Sequence, residues 1–100
     1  MKTFKIAQNI VLGVYAESGV FNEIKAEDFE LFYAKVPYIT DYKKLDVEFI
    51  KSDNYYFTKP FLMFEEGDFI MQIKNENADI DYREMIRIID EDIKNSKILI

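Results

Sequence analysis

Apolar residues near the C-terminus recur at intervals of three and four. Tyr82, Met85, Ile86, Ile89 and Ile93 fall on one side of a 3.6-residue period, with Arg83, Arg87, Asp90, Glu91 and Lys94 on the other. Just ahead of them, Asp81 followed by Glu84 has the spacing of a capping box, and Ile80 and Met85 take the two staple positions around it. The pattern predicts an amphipathic helix over about residues 82–95.

Upstream the period changes to two. Tyr55 to Thr58 and Phe61 to Phe64 are rich in aromatic residues, and Phe69, Met71 and Ile73 alternate with Ile70, Gln72 and Lys74. Pro60 cannot donate to a ladder and marks an edge or a bulge. Between the last two runs, Glu65-Glu66-Gly67 reads as a type I turn closed by a glycine at positive φ, which predicts a hairpin. Leu45, Val47 and Phe49 alternate with Asp46, Glu48 and Ile50 as a further strand, and Asp53-Asn54 turns it into the next. Phe4 to Tyr15 is β-rich, with Gly13 suggesting a bulge. Residues 22–36 fit both periods: Phe29, Phe32, Tyr33 and Val36 are spaced as in a helix, whereas Phe29, Leu31 and Tyr33 alternate. Pro37 disfavours helix at the residue before it, so a strand around 29 to 37 is the preferred reading.

These elements assemble as an α+β domain, an antiparallel sheet of four or five strands with a C-terminal helix packed on one face. A length of 100 residues and the lack of any linker or repeat make residues 1–100 a single domain. An apolar share of 49% places the chain well outside disordered sequences. Sparse arginine alongside abundant isoleucine, lysine and asparagine is the bias of an AT-rich bacterial or phage genome. Lys2 and Lys5 precede an apolar run from Ile6 to Ala16 that resembles a short secretory signal, but Gln8 and Asn9 interrupt it, and it reads as the first strand. No run approaches the ~18 apolar residues of a membrane helix. The expected compartment is the cytoplasm.

Cysteine and histidine are both absent. Disulfides, thiolate zinc sites, cysteine nucleophiles and imidazole-based triads are therefore excluded. Oxygen-only metal sites and carboxylate acid–base chemistry survive that cut. The closest approach to a calcium loop, Asp79, Asp81 and Arg83, puts Arg83 at a ligand position and Glu84 where the loop needs glycine. There is no phosphate-binding glycine loop and no G-x-S-x-G frame. Neither a metal, a cofactor nor a catalytic residue is expected, and the protein reads as a non-enzyme. Lys51 to Lys59, with Tyr55, Tyr56 and Phe57 between them, has the interleaving of a base-stacking strand. A net charge of −6 opposes direct contact with nucleic acid.

What remains is the charge layout. Residues 65–92 carry −7 and residues 17–30 carry −4, against +2, +1 and +2 for residues 1–16, 31–64 and 93–100. Such an acidic surface suits a basic protein partner, which it would steer into contact. The expected function is thus a small acidic inhibitor, of the anti-defence or immunity type, that engages a basic surface of a nucleic-acid-handling protein such as a nuclease. The expected contacts are Glu65, Glu66 and Asp68 on the hairpin with Glu84, Asp90, Glu91 and Asp92 on the helix. The competing expectation is a structural or assembly module, such as a phage-particle component or adaptor, that self-associates through a sheet edge or an aromatic patch.

Overall fold

In the computed structural model, which describes residues 1–19 and 23–90, the described residues fold mostly as strands. These are β1 (Lys2–Lys5), β2 (Gly13–Tyr15), β3 (Glu30–Lys35), β4 (Lys43–Leu45), β5 (Phe49–Ser52), β6 (Tyr55–Thr58), β7 (Gly67–Asn75) and β8 (Ile80–Ile89). The one helical element among the described residues is a 3-10 turn at Ala26–Asp28. Five strands make one sheet in the order β1-β8-β7-β3-β4, and three make a second in the order β2-β6-β5. Within the first, β1 runs parallel to β8 and the other neighbours are antiparallel.

The expected C-terminal helix is therefore corrected to a strand, and the α+β architecture to an all-β one with two sheets. Residues 80–89 pair with β7 along its whole length, from Asn75 opposite Ile80 to Gly67 opposite Ile88. A two-residue period was also present in this segment: Ile80, Ile86 and Ile88 share one face, and β-branched isoleucine suits a pleated surface. Glu84 breaks that alternation, which is why the helical period reads more clearly. Asp81 caps no helix. It lies in β8, where its carboxylate accepts from Gln72 Nε2 at 3.0 Å and from Arg83 Nε at 3.2 Å. The part of the expected helix beyond residue 90 lies outside the described residues.

The turn that makes β8 possible is local. The Asn75 side chain accepts from the amide of Ala78 at 3.1 Å, and Asp79 takes a left-handed conformation at φ 56°, closing the loop between β7 and β8. This hairpin replaces the one expected around Glu65-Glu66. There Phe61 bridges Ile10, Met63 accepts from the Ala7 amide, and β7 turns instead to β3 and β8. Gly67 does adopt positive φ, at 142°, as the residue that opens β7.

Two further expectations change. The strand from Leu45 to Ile50 is split, β4 joining the larger sheet and β5 the smaller one, while Asp53-Asn54 links β5 to β6. Gly13 forms no bulge but pairs in register with Phe57, whose ring lies over it. A Cβ at residue 13 would stand 2.5 Å from Phe57 Cδ1, so the ring takes the space that any other side chain would fill.

The core collects the inner faces of both sheets. Phe69, Met71 and Ile73 of β7, Ile86 and Ile88 of β8 and Leu31 of β3 meet Tyr56, Phe49, Ile10, Leu12 and Phe61 from the other side. Thr58 is buried among them because its hydroxyl accepts from the Leu12 amide at 3.1 Å. Phe29 packs on Tyr56 with ring centroids 4.7 Å apart, and the Tyr56 hydroxyl donates to the Ile24 carbonyl at 3.1 Å. Those two contacts tie the stretch before β3 to the core and fix the position of the 3-10 turn.

Candidate functional site

At the end of the molecule where that turn meets β4, β5 and the β7–β8 loop lies an open groove of about 960 Å³. Its apolar floor is Phe29 and Phe49, stacked with ring centroids 5.4 Å apart. Its walls are acidic. Seven carboxylates line it (Glu23, Glu27, Asp28, Glu30, Asp46, Glu48 and Glu76) against two lysines, Lys25 and Lys44. The 3-10 turn sets Glu27 and Asp28 side by side, and the chain on either side brings in Glu23 and Glu30.

Some of this charge is answered within the fold. Lys44 pairs with Glu30 at 3.0 Å, Lys74 with Glu76 at 3.1 Å, and Lys59 with Glu48. The hydrogen bond and charge of Lys59 hold the Glu48 carboxyl below its ordinary pKa. Among the described residues no ion pair reaches Glu23, Glu27, Asp28 or Asp46. Four like charges around one groove repel one another, and a cationic occupant relieves that repulsion.

Those of the residues expected from sequence that the structure describes do not form one surface. Glu65 and Glu66 are exposed at the bend before β7, where Lys35 pairs with Glu65. Asp68 lies on the outer face of the larger sheet, held by Arg87 through contacts of 2.8 and 3.2 Å, and hydrogen bonding to that guanidinium keeps its carboxyl below the usual range. Glu84 is on the opposite, inner face, directly across from Met71; its Oε2 lies 3.5 Å from Lys2 Nζ and its Oε1 is buried without a hydrogen-bond partner among the described residues. Asp90 follows the end of β8, and Glu91 and Asp92 lie outside the described residues.

The groove carboxylates come from segments far apart in the chain. Their one signal in the sequence is the −4 of residues 17–30. No three acidic side chains among the described residues converge closely enough to hold a metal ion. No helix among them is long and apolar enough to cross a membrane.

A second surface is aromatic. On the exposed face of the smaller sheet, Tyr15 meets Tyr55 edge-on at 5.2 Å and Tyr55 stacks on Phe57 at 5.8 Å, with Ile50 beyond them. Strand alternation divides the run singled out above: Tyr55 and Phe57 face outward, while Tyr56 is buried. No protein-family model matches the chain, and a search of the curated proteins finds no match.

Proposed function

We propose that the protein is a cytoplasmic, non-enzymatic binding protein that engages a basic surface of a protein partner, of the kind that nucleases and other nucleic-acid-handling proteins present, and inhibits that partner by occupying it. The observation that carries this reading is the groove whose walls hold seven carboxylates against two lysines. Carboxylates arrayed in a concave site can take positions that phosphates would occupy on a basic partner, and they speed the encounter electrostatically. The contacts accordingly move from the bend at Glu65 and the C-terminal segment to Glu23, Glu27, Asp28 and Asp46.

The test is binding of a short lysine- and arginine-rich peptide to the wild type and to Glu23→Lys/Glu27→Lys across a salt series. Both substituted residues are exposed, so the fold should tolerate the change. Affinity should fall steadily as salt rises, because exposed charges are screened beyond about 8 Å at physiological ionic strength. The double reversal should weaken binding by about tenfold or more at low salt. A flat salt response with equal affinities would remove the groove from the account.

The exposed aromatic face supports a second reading, an assembly module in which copies associate through the smaller sheet. That reading requires self-association that persists at high salt and is abolished by Tyr55→Ser/Phe57→Ser.

A further inference from the structure

Beside the acidic groove lies a second depression of about 420 Å³, lined by Tyr33, Leu45, Leu62, Phe64 and Phe69 with Lys44, Asp46 and Glu65 among its rim residues. The two share Lys44 and Asp46, so they meet along β4 and the residue after it. Leu62 and Phe64 are 42% and 69% exposed, because residues 61–63 are held by backbone bonds to residues 7–10 and alternate outward from them. Phe64 thus stands largely in solvent although a core position was one residue away, at Met63. β4 is an edge strand with β3 as its one partner, and its other side meets no strand among the described residues.

We propose that this depression is the seat for an apolar side chain of the same basic segment that the acidic groove holds. The occupant is an extended stretch of a protein partner with lysines or arginines followed by one leucine- or phenylalanine-sized residue. Charge chooses the occupant. The neighbouring groove admits a cationic chain, and the apolar lining next to it gives that chain a reason to stop in one register. A purely basic segment would slide along the carboxylates, whereas an anchor in a pocket fixes position and slows dissociation. The shared stretch from Lys44 to Asp46 spans roughly 7 Å at about 3.3 Å per residue, so the anchor follows the basic run by about two residues. This rests on the groove reading above.

Two synthetic peptides test it, one with an arginine/lysine run followed two residues on by leucine, the other with serine in place of that leucine. Each is titrated into the wild type, Phe64→Ser and Leu62→Ser/Phe64→Ser, with thermal unfolding confirming that all three are folded. The leucine peptide should bind the wild type about tenfold more tightly, the step that partial burial of one leucine supplies. Phe64→Ser should close that gap while leaving the affinity of the serine peptide unchanged. Equal, salt-dependent binding of both peptides to the wild type would overturn the anchor and leave the groove standing. A leucine preference that survives in Leu62→Ser/Phe64→Ser would also overturn it, placing the anchor elsewhere. If neither peptide binds folded wild type at low salt, the anchor and the groove reading fail together.

Discussion

Ile88→Ala and Met85→Ala, measured side by side, decide between strand and helix for the segment after Ile80. In the strand, Ile88 is 1% exposed on the inner face, with Phe4 of β1 and Gly67 of β7 as its cross-strand partners. Trimming isoleucine to alanine removes three carbons, worth roughly 2.4 kcal/mol at about 0.8 kcal/mol each. Gly67 has no side chain to move into the space, so a cavity term should raise the loss to about 3 kcal/mol, inside the ~2–5 kcal/mol range for such changes. In a domain of this size that lowers the melting temperature by roughly 12–24 °C. Met85 lies on the outer face, 39% exposed and opposite Ile70, and its truncation should cost less than about 1 kcal/mol. A helix reverses the order, since Met85 belongs to its apolar stripe and Ile88 falls outside it. Urea denaturation followed by far-ultraviolet circular dichroism gives both numbers. Should Met85→Ala cost more than about 2 kcal/mol and Ile88→Ala less than about 0.5, the argument for β8 is refuted.

Gly67→Val should destabilise by about 1–3 kcal/mol, because φ of 142° is strained for a β-branched residue and the added Cβ would lie 3.0 Å from Lys35 Cε; an unchanged denaturation midpoint would show that the backbone there is free to relax. Arg87 lowers the pKa of Asp68 in the folded chain, so the unfolded chain takes up its proton first as pH falls. The stabilisation is complete at neutral pH and lost below about pH 4. Asp68→Asn should therefore be less stable than wild type at pH 7, and the two unfolding curves should converge in acid; a gap that stayed constant with pH would contradict this.

Much of the β character was legible in the sequence. The alternation of Phe69, Met71 and Ile73 places those residues in the core, and Asp53-Asn54 does turn β5 into β6. The absence of cysteine and histidine excludes whole classes of chemistry without any fold. The segment after Ile80 could not be read this way, because over ten residues the two- and 3.6-residue periods share positions. Tyr82 and Ile86 satisfy both periods, and Asp81 with Glu84 imitates a cap. Pairing with β7 decided the matter: a strand there bonds with its neighbour from Ile80 to Ile88 and buries Ile86 and Ile88 against the core, and no local propensity records that gain. The candidate site was hidden for a related reason. Charge per segment is a property of the chain, but Glu27, Asp46 and Glu76 become neighbours only when the 3-10 turn, the end of β4 and the β7–β8 loop are brought to one end of the molecule. The same folding separates Asp68 from Glu84, sixteen residues away in sequence, because adjacent strands put them on opposite faces of one sheet.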